Sequence, residues 1–241
     1  MNLTKAFAGI VATAALAVAA PAMADPITFS SANIGQTYTL SYDGFVDGTT
    51  NTISGLTAET SFTLTGISGN DYTFDYSVSN TSSSPITASR ISSFAFNTDP
   101  TIQSATSDGA FSYTTLNSNY PNTIGTVDVC FKDAKTGSCA GGGSGGLDIG
   151  QSGSGSFTLS FSQPVSSLTL SDFFVRYQSI SGAGNVSSAS GQGTLTSSGG
   201  TTTGGTSVPE PGMIGLFGIG LVGLGLLRRR KAQPAMRLAA A

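Results

Sequence analysis

Histidine and tryptophan are absent from all 241 residues, and only 10% of the chain is charged. Without histidine, a Ser–His–Asp or Cys–His nucleophile has no base, and zinc has no imidazole ligand. Without tryptophan, a carbohydrate-stacking surface lacks its largest ring. Glutamate is scarce: Glu59 is the sole one between Asp25 and Val208, so a hydrolytic carboxylate pair there would have to rely on aspartates. Cations are scarce over the same stretch. Arg90, Lys132, Lys135 and Arg176 stand against twelve acids, a formal charge of −8 that the whole-chain value of −3 hides. The difference arises because five of the ten cations lie from Arg228 onward. A sparsely charged, acidic ectodomain argues against nucleic acid and anionic lipid as partners. Nor does it show a convincing helical period of 3.6.

The two ends of the chain carry the clearest signals. Lys5 precedes the apolar stretch Ala6 to Ala20, and Ala22-Met23-Ala24 forms a small-x-small site before Asp25. This is the pattern of a secretory signal peptide, residues 1–24, cut between Ala24 and Asp25. At the other end, Pro209-Glu210-Pro211 is followed by the uncharged run Gly212 to Leu227 and then by Arg228-Arg229-Arg230-Lys231. The run is 16 residues long. As a helix it would rise about 24 Å, against a hydrocarbon core of roughly 30 Å, so it can only just span. Its glycines, Gly215, Gly218, Gly220, Gly223 and Gly225 among them, lower helix propensity while letting another helix approach closely. The basic cluster favours a cytoplasmic far end and acts as a topology stop. These residues admit two readings, a single-pass transmembrane anchor or a sorting signal that an enzyme recognises and cuts.

The order of motif, Gly/Leu-rich run and basic cluster resembles the PEP-CTERM sorting domain of Gram-negative bacterial proteins, over residues 208–231. The resemblance implies export, membrane retention, recognition of Pro209, Glu210 and Pro211 by an exosortase-type enzyme, and cleavage near them. It also implies a place at the cell surface or in exopolysaccharide matrix. Two features depart from the family pattern. The first aromatic after the motif is Phe217, and a tail of ten residues, 232–241, trails the basic cluster. Three internal segments, Thr87 to Arg90, Cys130 through Gly143 and Ser171 to Ile180, are similar to the cistern-family PEP-CTERM group, which carries no known activity.

Between the signals, residues 25–196 read as one ectodomain. Alternation with period two marks half-buried strands at Tyr38/Leu40/Tyr42, Phe62/Leu64, Tyr72/Phe74/Tyr76/Val78, Phe94/Phe96, Val127/Val129/Phe131, Phe157/Leu159/Phe161 and Leu168/Leu170. Phe173-Phe174-Val175 is more continuous and predicts burial on both faces or a bulge. Turn signals separate the runs, among them Asp43-Gly44, Asp47-Gly48, Ser68-Gly69-Asn70, Asp99-Pro100 and Asp108-Gly109. Nine to eleven short strands are expected, in an antiparallel β-sandwich of immunoglobulin-like or jelly-roll-like class. Residues 197–207 read as a Thr/Gly/Ser linker of 11 residues, spanning roughly 17–20 Å.

Cys130 and Cys139 are the only cysteines. In an oxidising compartment they are expected to form a disulfide worth roughly 2–3 kcal/mol. A metal or redox pair is the alternative, and the spacing is not Cys-x-x-Cys. Candidate chemistry is otherwise thin. The nearest carboxylate pairs, Asp71 with Asp75 and Asp43 with Asp47, sit beside turn signals. Those loops and Asn70 also offer the hard oxygens that calcium takes, without an EF-hand pattern. Arg90 and Arg176 are lone cations among uncharged strands. Each either binds a sugar acid or pairs with Asp172, Asp75 or another acid. Tyr177 and Gln178 beside Arg176 would suit a carbohydrate platform, or simply a strand. The reading is a non-enzymatic exported protein with no catalytic, metal or cofactor site. Its partners are a processing enzyme, the membrane and exopolysaccharide. A carbohydrate-binding module of the same sandwich class is the alternative.

Overall fold

The alternation read from the sequence becomes twelve antiparallel strands in a computed structural model that describes residues 26–47, 51–135, 138–139 and 144–199. The stretch read as signal peptide, most of the linker and the whole sorting segment lie outside the described residues. The strands are β1 (Ile27–Phe29), β2 (Thr37–Phe45), β3 (Thr52–Ser68), β4 (Asp71–Asn80), β5 (Ala88–Asp99) and β6 (Ser104–Ser107). They continue as β7 (Tyr113–Tyr120), β8 (Gly125–Lys132), β9 (Leu147–Asp148), β10 (Ser152–Ser160), β11 (Leu168–Ser181) and β12 (Ser188–Ser198). Two 3₁₀ turns, Ser31–Asn33 and Gly109–Phe111, are the helical content among the described residues. No helix among them is long and apolar enough to cross a membrane.

The all-β, antiparallel expectation holds, but the division into two facing sheets does not. The strands form one hydrogen-bonded sheet in the order β6-β10-β4-β3-β2-β12-β11-β5-β8-β7, with β1 added to β11 and β9 to β5. The two ends of this path meet: Thr114 Oγ1 on β7 donates to the Ala105 carbonyl on β6 at 3.1 Å. The sheet is therefore curled almost into a barrel. Register shifts give it the means. They occur between β2 and β3, between β3 and β4, between β12 and β2, and three times between β11 and β5. Each extra residue bends its strand and adds right-handed twist.

One interior fills the curl. Phe62 of β3 has its ring centroid within 6.0 Å of those of Phe94 and Phe96 from β5, Phe157 from β10 and Phe173 from β11. Rings from four strands spread round the sheet can meet only inside it. A second, smaller cluster lies on the outer face of β5, β8 and β11: Ala95, Tyr120, Val127, Cys130, Cys139 and Phe174. The tip of the β7–β8 hairpin folds over this face. β5 and β11 are thus covered on both sides, which is why Phe173 to Val175 is apolar without alternation. This stretch is both doubly buried and bulged.

Two local expectations are corrected. Asp43-Gly44 lies inside β2 and makes no turn: a Cβ on Gly44 would stand 2.3 Å from Leu56 Cδ2, so glycine here gives Leu56 room. The last strand runs to Ser198, with Ser197 and Ser198 opposite Thr39 and Tyr38, two residues into the stretch read as linker. Where β6 stops, Asp108 takes over the edge of β10. Its Oδ1 accepts the Ser156 N–H at 2.7 Å and its Oδ2 accepts the Ser156 hydroxyl at 3.1 Å.

Entry and exit of the described chain share one end of the barrel. Phe29 packs edge-on against Tyr38 at 4.9 Å, and the Gly199 N–H donates to the Thr37 carbonyl at 3.0 Å. β11 starts beside Phe29 and finishes opposite Ala88, so the start of β5 lies at the other end.

Candidate functional site

Three of the four ectodomain cations are buried: Arg90 at 9%, Lys132 at 3% and Arg176 at 7% exposure, leaving Lys135 exposed. The exterior is therefore more acidic than the composition indicates. Arg90, near the start of β5, points out of the barrel beneath the chain that follows β8. Its Nη1 donates to Asp133 Oδ2 at 2.9 Å and to the Gly145 carbonyl at 2.6 Å, and Nη2 donates to Gln178 Oε1 at 2.7 Å. Gly145 and Gly146 take positive φ to close over the pair. A Cβ on Gly146 would meet the Ile91 carbonyl at 2.3 Å, so the backbone passes where no side chain fits. Burial raises the Asp133 carboxyl above its ordinary value, and the Arg90 charge only partly draws it back.

Arg176 on β11 donates to Asn122 Oδ1 at 2.6 Å, and the Ser190 hydroxyl of β12 donates to the same oxygen at 2.8 Å. Asn122 is the tip of the β7–β8 hairpin and takes φ 63°. Burial lowers the Arg176 guanidinium below its usual value, and the neighbouring Tyr120 phenol opposes this. Both arginines are thus structural ties. Arg90 pairs with another acid, Asp133, in place of Asp172 or Asp75, and Asp172 accepts from Asn97 Nδ2 at 3.0 Å. Cys130 and Cys139 are joined in a disulfide with 5.9 Å between their Cα atoms. The backbone of Cys139 is held twice, its N–H by Ser118 Oγ at 3.2 Å and its carbonyl by the Ser93 hydroxyl at 2.9 Å.

The surface chemistry considered from sequence does not assemble. Tyr177 is wholly buried and Gln178 is engaged by Arg90, so the suggested carbohydrate platform has no exposed ring. Tyr113, at 40%, is the one exposed aromatic among the described residues. Asp71 and Asp75 lie on one face of β4 four residues apart, roughly 13 Å at 3.3 Å per residue. Two hydrolytic carboxylates need to face each other within about 5–9.5 Å. Asp43 lies on the outward face of β2 opposite Thr57 and Gln192, and among the described residues no group of three or more carboxylates or cysteines could hold a metal ion.

The remaining site residues of the sequence reading, Ala24, Asp25, Pro209, Glu210, Pro211, Arg228, Arg229, Arg230 and Lys231, lie outside the described residues. Family comparison bears on the last seven. Residues 207–231 match the family model described as the PEP-CTERM protein-sorting motif. The chain carries a PEP-CTERM sorting motif. Such a motif marks an exported protein sorted by an exosortase-type enzyme. The match includes Pro209 through Lys231, leaves the barrel untouched and does not bear on the cistern-family resemblance. No curated protein and no solved structure matches the chain.

Proposed function

We propose that this PEP-CTERM protein is a non-enzymatic component of the cell surface or exopolysaccharide matrix. A signal peptide cut after Ala24 delivers it. The segment 212–227 holds it in the membrane as a single helix with Arg228 to Lys231 as the stop, until an exosortase-type enzyme acts at Pro209 to Pro211. The observation that carries this reading is the sorting motif at residues 207–231, directly downstream of a β-rich folded unit. The buried cations, filled aromatic interior and internally bonded arginines support it. Arg90, Arg176 and Gln178, which the sequence offered for ligand binding, tie strands and loops together instead.

Fractionation of the native host tests the proposal. The mature protein is expected in the envelope or in extracellular matrix. Recovery of most of it in the cytosol would sink the reading. The alternative of a carbohydrate-binding module gains no support from the described surface, which lacks an aromatic row on any strand face.

A further inference from the structure

We propose that the Cys130–Cys139 disulfide is a redox-sensitive clasp on the outer layer alone: opening it releases the tip of the β7–β8 hairpin while the barrel stays folded. The two hydrophobic clusters are separate. The inner one holds the aromatic rings, and the outer one has six buried members, two of which are the cysteines. β8 is itself divided between them. Val129 and Phe131 point into the inner cluster, whereas Val127 and Cys130 belong to the outer one.

Pairing divides at the same place. β5 pairs with β8 only from Val129 to Lys132. Beyond that point Asp128 reaches β5 through side chains, accepting the Thr98 N–H at 2.8 Å and donating its own N–H to Asn97 Oδ1 at 3.0 Å. The tip is tied down by Tyr120 against Phe174, with ring centroids 5.6 Å apart, and by Asn122 on Arg176 and Ser190. Asn117 marks the hinge. It has φ 47°, and the β7–β8 ladder skips it together with Asp128 opposite, passing from Leu116↔Val129 to Ser118↔Val127 without a change of register. Lifting residues 118–128 about this break in the ladder removes no inward side chain from the barrel.

Both cysteines are 0% exposed and share their cluster with Tyr120 and Val127 of the tip, so lifting the tip uncovers the sulfurs to a reductant. The thiolate of a dithiol reductant then attacks one sulfur, the S–S bond breaks, and a mixed disulfide forms. The second thiol of the reductant resolves it, so the reductant leaves as a disulfide and Cys130 and Cys139 as thiols. Cys139 is then no longer bonded to β8, and the backbone ties from Ser93 and Ser118 must hold it unaided.

Hydrogen exchange read by mass spectrometry on the mature protein tests this, oxidised and in dithiothreitol, with a Cys130→Ala/Cys139→Ala variant beside it. Amides of residues 118–128 are expected to exchange at least tenfold faster in the reduced and variant proteins, with those of Tyr72 to Asn80 unchanged. Reduction in native buffer is expected to outpace global unfolding. Equal loss of protection in both regions would overturn the proposal, since the disulfide would then hold the whole fold. So would unchanged exchange at the tip, or reduction no faster than global unfolding.

Discussion

Arg90 Nη1 and Asp133 Oδ2 lie 2.9 Å apart with 11% and 2% of their side chains exposed, and this pair joins the start of β5 to the chain that leaves β8. Taking two charges out of water is expensive, and removing one leaves the other uncompensated. Arg90→Met is therefore expected to destabilise the protein by about 3–5 kcal/mol. Arg90→Met with Asp133→Leu is expected to recover more than half of that loss, because the orphaned carboxylate is gone. Urea denaturation of the single and double variants checks it. A double variant as unstable as the single would show that the pair itself, and not the stranded charge, matters.

Asp133 also sets a direction for pH. Burial raises its carboxyl above the usual range, so the folded chain holds the proton more tightly than the unfolded chain does. Its contribution to stability is present at low pH and is lost as pH rises through the raised value. Mutual repulsion among the exposed acids acts in the same direction. Thermal unfolding is expected to move to higher temperature as pH falls from neutral toward the ordinary carboxylate value of 3.8, with a shallower slope in Asp133→Asn. A Tm that falls over this range would contradict the assignment.

Phe157 and Phe174 separate the two layers energetically. Phe157 lies within 6.3 Å of six other rings, whereas Phe174 has Tyr120 as its ring neighbour. Phe157→Ala is expected to cost about 3–5 kcal/mol, and Phe174→Ala clearly less. Equilibrium unfolding of the two variants gives the comparison directly.

Two glycines of ordinary φ make a controlled pair. A Cβ on Gly155 would stand 2.3 Å from the Asp108 carbonyl, while one on Gly66 meets nothing within 4 Å. Gly155→Ala is expected to lose about 2 kcal/mol or more through backbone overpacking. Gly66→Ala is expected to change stability by less than about 0.5 kcal/mol. Denaturation midpoints decide it.

These residues show which parts of the fold were legible in advance. Tyr72 to Val78 announced β4 because each inward ring alternates with a polar residue, a property local to the chain. Ile27–Phe29, Ser104–Ser107 and Leu147–Asp148 are too short to show a period, and Tyr113–Tyr120 alternates poorly because its tip crosses to the outer layer. Asp43-Gly44 read as a turn because the reason for that glycine, Leu56, sits on the next strand. Pairing of the arginines was legible in kind but not in partner, since Asp133 stands 43 residues from Arg90. Nothing local distinguishes two facing sheets from one curled sheet. That difference resides in bulges set by register.

The sorting motif was legible because its parts are adjacent in sequence, and its role can be tested without the barrel. The most direct measurement is the intact mass of the mature protein from its native host, beside a variant with Pro209, Glu210 and Pro211 changed to alanine. The account predicts a wild-type chain that starts at Asp25 and ends near Pro209 to Pro211, alone or with an adduct there. The variant should run uncut to Ala241 in the membrane fraction. A wild-type mass reaching Ala241, or a variant that matures unchanged, would contradict it.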